Sequence, residues 1–189
     1  RLFYSLKKQN VPVLFEAPIL EFVCEGESVA GAVVKSPDGA LRIRAKKGVV
    51  LATGGFAHNK KYREAFMPHL IPIYSMAADT NTGDGVQLAE GLSARVNADN
   101  HQGAAFWSPV SVTKRKDGSE GLYPHLAMDR AKPGLIAVNA AGRRFVNEAV
   151  SYHDFVEAMY RSHETENTLP AWLICETRFV TRYGLGAIH

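Results

Sequence analysis

The sequence predicts an α+β protein in two parts: a small antiparallel meander with a following apolar strand, then a region of short helices, long loops and scattered strands. Three observations carry this reading. After an Asp38-Gly39 turn, apolar and basic residues alternate through Leu41-Arg42-Ile43-Arg44-Ala45-Lys46, as on a half-exposed hairpin strand. The run Gly48-Val49-Val50-Leu51-Ala52-Thr53-Gly54-Gly55 has the unbroken apolar character of a strand buried on both faces. Tyr152, Phe155, Val156, Met159 and Tyr160 fall at i, i+3, i+4, i+7 and i+8, a helical stripe. The change of pattern after residue 56 puts a domain boundary near residue 57.

In chain order, residues 1–9 form an amphipathic helix that Asn10 ends. Residues 11–15 and 19–24 form two short strands, and the polar turn Glu25-Gly26-Glu27-Ser28 leads to a third at 29–34. The 41–46 strand completes the meander, and the apolar strand follows. Helices are expected at 59–66, closed by Pro68, and at 85–94, where Leu88 and Leu92 stand four apart. Strands are expected at 134–139, 144–146 and 171–175, and Ser151 with Asp154 forms a capping box for the intervening helix. The opening residues read as a helix already under way and the last ones as a loop cut short, so both ends read as the edges of a piece.

With 189 residues, 46% hydrophobic and 22% charged, the chain has the composition of an ordinary globular protein. A net charge of +3 with acidic residues spread throughout is too mild for a nucleic-acid footprint. The basic run Lys114-Arg115-Lys116 beside Asp117-Gly118 reads as a solvated loop. Cys24 and Cys175 show no disulfide framework or metal-ligand spacing, so a reduced, cytoplasmic protein without a metal is expected. No apolar run approaches the length of a membrane span, and no signal peptide opens the chain.

Three segments carry candidate chemistry. At Ala52-Thr53-Gly54-Gly55, glycines at the carboxyl end of a buried strand suit either close approach to a nucleotide or a simple tight turn. At Asn81-Thr82-Gly83-Asp84-Gly85, a helix N-terminus attracts electron-rich groups, and Asp84 serves either there or as a helix cap. The third, from Asn139-Ala140-Ala141-Gly142-Arg143-Arg144 through Phe145-Val146-Asn147-Glu148 to Tyr152, turns at Gly142 and delivers Glu148, Tyr152 and His153 to a helix start. By pattern alone Tyr152 belongs to the apolar stripe.

In this order and spacing the three segments resemble the flavoprotein family of fumarate reductases, succinate dehydrogenase flavoprotein subunits and 3-ketosteroid dehydrogenases, over nearly the whole chain. Residues 49–56 look like the strand carrying A-T-G-G-F beside the FAD, and Thr82-Gly83-Asp84-Gly85 matches the T-G-D-G element whose Asp lies at the flavin. Residues 134–148 match the stretch G-x-I-x-V-N-x-x-G-x-R-F-V-N-E. The resemblance implies part of a Rossmann-like FAD domain at 1–56 and an α+β substrate cap domain at 57–189. It implies FAD contacts at Ala52, Thr53, Gly54, Gly55 and Asp84. The G-x-G-x-x-G loop and its ribose-binding acid are not in this sequence, nor is the segment that closes over the flavin. FAD binding and activity are therefore expected of a longer polypeptide, and the chain by itself is not expected to hold the cofactor.

The family's fumarate enzymes carry an Arg a few residues beyond N-E, where Tyr152 stands, and a substrate His near an A-H-P element, where Ala104-Ala105-Phe106-Trp107-Ser108-Pro109 stands. The ketosteroid dehydrogenases, which place a Tyr after N-E, resemble it better. The resemblance thus implies desaturation of a C–C bond beside a ketone, with Tyr152 as the acid–base group and Arg130, aligned with a relay or substrate-side Arg, as the second catalytic candidate. A Tyr acts as base when a cation or hydrogen bond lowers its pKa from about 10, a role for Arg130 or His101. A dicarboxylate oxidoreductase and a noncatalytic ligand- or partner-binding module are the alternatives. The expected partner is a small carbonyl compound, not nucleic acid or membrane.

Overall fold

In the computed structural model, which describes residues 1–69, 74–99 and 103–188, the chain divides into two units. The first is Arg1–Phe56 with Asn81–Arg95, the second Ala57–Thr80 with Val96–His189.

The first unit begins with helix α1 (Leu2–Lys8). Asn10, at φ 54°, takes the left-handed conformation that ends it. The meander follows as β1 (Ile19–Glu25), β2 (Ser28–Ser36) and β3 (Gly39–Arg44), antiparallel with β2 central. Pairs Glu25–Ser28 and Ser36–Gly39 close two-residue turns, with Gly26 at φ 60° and Gly39 at φ 118°. Gly26 stands inside its turn, where such hairpins take a positive angle, whereas Gly39 follows the Pro37-Asp38 turn as the first residue of β3. Ala32 and Val34 of β2 are buried, whereas every residue of β3 is exposed. At Gly31 the strands come so close that a Cβ would lie 2.1 Å from the Ile43 carbonyl oxygen. Gly83, left-handed at φ 85°, starts helix α3 (Asp84–Glu90), shorter than the expected 85–94.

The second unit holds α2 (Lys60–Phe66), capped by the Asn59 side chain, which accepts from Tyr62 N at 3.2 Å. The hairpin of β4 (Val110–Lys114) and β5 (Glu120–Pro124) is followed by the one-turn helix α4 (Ala127–Arg130). Strand β6 (Leu135–Val138) pairs antiparallel with β7 (Trp172–Cys175). Between them runs α5 (Tyr152–His163), and α6 (Thr177–Tyr183) follows β7. The Ser151 Oγ accepts from Asp154 N at 3.1 Å and donates to Asp154 Oδ2 at 2.8 Å, so the expected capping pair starts α5. Val156 and Tyr160 of the stripe pack with Ala105 and Trp107, and Met67, Met159 and Leu169 border them.

Several sequence expectations need correction. Residues 48–55 form no strand, and Val50 is 89% exposed. An apolar run records a tendency to be buried on both faces, but a strand exists only against a hydrogen-bonded neighbour, and among the described residues none pairs with it. Residues 11–15 likewise form no strand and are exposed. Of residues 144–146 only Arg144 pairs, in a single bridge to Val138. Lys114 ends β4, and Arg115 and Lys116 form the exposed tip of its hairpin. Both cysteines are free. Among the described residues no helix is long and apolar enough to cross a membrane, and no cluster of metal-ligating side chains occurs.

The close approach at Gly31 yields a test. Gly31→Ala is expected to destabilise by about 1–3 kcal/mol, the cost of forcing atoms into a packed site, while Gly55→Ala, whose added Cβ meets nothing within 4 Å, should leave stability within about 0.5 kcal/mol of the parent. Urea unfolding of the two variants compares them directly.

Candidate functional site

Two separate groups of residues carry the candidate chemistry, one in each unit.

In the first unit, Ala52, Thr53, Gly54 and Gly55 are exposed. Gly54 has φ 79°, and a Cβ there would lie 2.6 Å from Asn81 Oδ1; one at Gly85 would lie 2.1 Å from Thr53 Oγ1. These two glycines therefore let the 52–55 segment lie directly against the start of α3. Gly55 faces open space. The cap reading of Asp84 is corrected: the N-cap is Gly83, and Asp84 is the first helical residue. Its exposed carboxylate accepts a 2.6 Å hydrogen bond at Oδ1 from Thr82 Oγ1.

The second unit's group grows from the turn after β6. Asn139, 3% exposed, accepts at Oδ1 from Ala141 N and Arg143 N at 3.1 and 3.0 Å. Gly142, at φ 72°, completes this turn. The chain then returns Glu148 to the strand it left. Glu148 Oε1 accepts from Ala137 N at 2.8 Å and Arg144 Nε at 2.9 Å, and Oε2 accepts from Arg144 Nη2 at 2.6 Å. Burial raises the Glu148 pKa, but the Arg144 hydrogen bonds and the Ala137 amide outweigh it and hold the carboxyl below its ordinary value.

Arg130 is 1% exposed. Its Nε donates to His125 O at 2.9 Å, Nη1 to Glu148 O at 2.6 Å and Nη2 to Val150 O at 3.3 Å. The guanidinium also lies 4.5 Å from the Phe155 ring centroid. Burial lowers its pKa, and the charges of Asp129 and Glu148 oppose that shift. The residue expected to face a substrate thus spends each nitrogen on a backbone carbonyl.

Tyr152 follows this braced segment as the first residue of α5, and it is half-buried rather than part of the core. Its ring meets Phe106 edge-on at 5.4 Å, while Phe106, 71% exposed, stacks on His153 at 4.8 Å. His153 Nδ1 accepts from Trp107 N at 3.0 Å, which holds the Ala105-Phe106-Trp107 segment against the start of α5. Sequence reasoning treated that segment and Tyr152 as separate clues. It also missed the hydrogen-bonded line Ser111–His125–Asp129, in which His125 Nε2 is 2.5 Å from Ser111 Oγ and Nδ1 is 2.5 Å from Asp129 Oδ2. The i, i+4 spacing of His125 and Asp129 was the available signal. His101 lies outside the described residues.

The Glu148 carboxyl sets a pH dependence. The unfolded chain binds this proton near the ordinary value of 4.5, the folded chain only at lower pH. The contribution is complete above that value and lost as pH falls through the lowered one. Glu148→Gln is expected to flatten the acid limb of a stability-versus-pH curve measured by thermal unfolding; an unchanged slope would remove Glu148 as its source.

The model of the FAD binding domain family matches residues 1–183. The 4-oxocyclohex-2-ene-1-carboxylate 5-dehydrogenase of Sinomonas cyclohexanicum is 33% identical over 90% of this chain and 29% of its own length. The 3-oxosteroid 1-dehydrogenase of Mycobacterium tuberculosis is 32% identical over 95% of this chain and 32% of its own. The crystal structure of 3-ketosteroid delta1-dehydrogenase from Sterolibacterium denitrificans, in complex with 1,4-androstadiene-3,17-dione, superposes with a TM-score of 0.79 at 32% identity, over 99% of this chain and 33% of that one. Matched fumarate reductases are less similar, at 29% and 25% identity. The chain spans about a third of the length of these dehydrogenases.

Proposed function

The chain belongs to the FAD binding domain family, and from that premise we propose that it forms part of an FAD-dependent dehydrogenase that desaturates a C–C bond beside a ketone. In this reading the FAD-domain portion is residues 1–56, joined by 81–95, and the remainder of 57–189 is the substrate cap. The observation that carries the reaction class is Tyr152 at the capped start of α5, its ring half-buried against Phe106. The names of the relatives, dehydrogenases of oxo compounds, support the same class.

Whether the residues present suit FAD is tested by the 52–55 segment. Its exposed backbone and the open side of Gly55 leave room for a planar group to lie against the chain. The residues fit one wall of the cofactor, with Ala52, Thr53, Gly54, Gly55 and Asp84 as its contacts; the sequence holds no G-x-G-x-x-G cradle for the pyrophosphate. When bound, FAD supplies the two-electron acceptor for a hydride.

Tyr152 Oη passes its hydroxyl proton to solvent as it takes the proton from the carbon next to the one that gives up hydride. Phe106, 71% exposed, offers an apolar surface in keeping with a ring-shaped ketone. Arg130 does not bind substrate in this proposal. It holds the Glu148 and Val150 carbonyls, and with them the backbone leading into Tyr152. That use of its donors also weighs against the dicarboxylate alternative, which needs a cation free to pair with a carboxylate.

Two outcomes are expected in the full-length protein. Asp84→Ala and Gly55→Ala should each lower FAD retention through gel filtration while keeping the parent's circular dichroism spectrum, and full retention in both would remove this segment from the cofactor site. Tyr152→Phe should keep ring packing and lower kcat on a cyclic 3-ketone on the order of 10²-fold, with little change in KM. Near-normal turnover in Tyr152→Phe would end the acid–base assignment.

A further inference from the structure

We propose that His125 is a positioning residue for Tyr152, acting through Asp129 and Arg130; this rests on the reading of Tyr152 given above. His125 is 3% exposed, and both of its ring nitrogens are engaged, with Ser111 Oγ of β4 on one side and Asp129 Oδ2 of α4 on the other. A carboxylate acceptor at Nδ1 fixes the donor there, so in the neutral ring Nε2 accepts the Ser111 hydroxyl proton. The backbone of His125 is held as well: its N donates to Pro109 O at 2.8 Å, and its O accepts from Arg130 Nε at 2.9 Å. Gly186 closes on the ring so tightly that a Cβ there would lie 3.1 Å from Cε1. The ring is left one orientation.

Asp129 carries that orientation onward. Its Oδ2 faces the imidazole, and its Oδ1 accepts from Arg130 N at 2.9 Å. Arg130 then reaches Glu148 O and Val150 O, directly before the Ser151 cap and Tyr152. Ser111, His125, Asp129 and Arg130 thus make one hydrogen-bonded path from the β4–β5 hairpin to the peptide units that aim Tyr152. A Ser–His–Asp line can also activate a serine nucleophile, which requires amides free to bind an oxyanion. Ser111 lies inside the β4–β5 ladder opposite Tyr123, and its place there is that of a brace. Small misplacements of an acid–base group cost large rate factors, so a residue that never touches substrate can govern turnover.

The test uses the full-length protein. His125→Phe keeps a ring and removes both hydrogen bonds; His125→Asn returns an N–H to the position facing Asp129. His125→Phe is expected to lower kcat ~10-fold or more with KM changed less than about 2-fold. It should also move the Tyr152 ring signal in spectra of ring-¹³C tyrosine, identified by its loss in Tyr152→Phe. His125→Asn should recover most of both. An unmoved Tyr152 signal in a folded His125→Phe protein overturns the proposal, as does equal loss in His125→Asn. If His125→Phe does not fold, Asp129→Asn takes its place with the same expected displacement and loss, and an unmoved signal there has the same meaning. A Tyr152 signal that moves, together with normal turnover in Tyr152→Phe, ends the acid–base reading of Tyr152 and leaves the positioning standing.

Discussion

Arg130 keeps its positive charge where only 1% of the residue meets solvent, because three carbonyl oxygens and two neighbouring carboxylates replace the water it gave up. A buried guanidinium without such partners would cost several kcal/mol. The constraint works in both directions. The segments that supply the carbonyls are held at the positions the planar fork of donors requires. Those segments are the exit of β5 at His125 and the approach to α5 at Glu148 and Val150, so this cation joins the end of the hairpin to the start of the helix.

Glu148 makes the approach to α5 rigid from a second direction. Its carbonyl serves Arg130, while its carboxylate serves the Ala137 amide of β6 and the Arg144 guanidinium. The Asn139 side chain closes the intervening turn. The Ser151 cap then begins the helix with no unstructured residue between brace and helix. Tyr152 emerges from a backbone held at Glu148, Val150 and Ser151, which fixes where its side chain leaves the chain. Phe106 and His153 add a wall at its side through the Trp107 amide.

The first unit presents the complementary case, in which one strong local signal forms its element and another does not. The meander forms as its turns dictate, with Gly26 supplying the positive φ of the first turn and Pro37-Asp38 making the second. The apolar run at 48–51 does not become a strand, and Val50 and Leu51 are exposed instead. Hydrophobicity states what a segment would bury; it does not supply the neighbour that would bury it.

The sequence by itself determined the features that depend on neighbours a few residues away. These are the meander with its turns, the Ser151–Asp154 cap and the α5 stripe, and the spacing of the three segments that resemble the flavoprotein family. The turns, the cap and the stripe are governed by backbone angles or side-chain periodicity within a turn or two of chain. Tertiary structure decided the rest. Arg130 and Val150 lie 20 residues apart, Trp107 and His153 46 apart, and Ser111 and His125 14 apart. No periodicity links such positions. The sequence could mark Arg130 and Tyr152 as candidates, but only burial showed that the arginine's donors are spent on backbone carbonyls, while the tyrosine stands half-exposed beside Phe106. Desolvation and hydrogen-bond geometry, which decide what a charged side chain can do, arise only when distant segments meet.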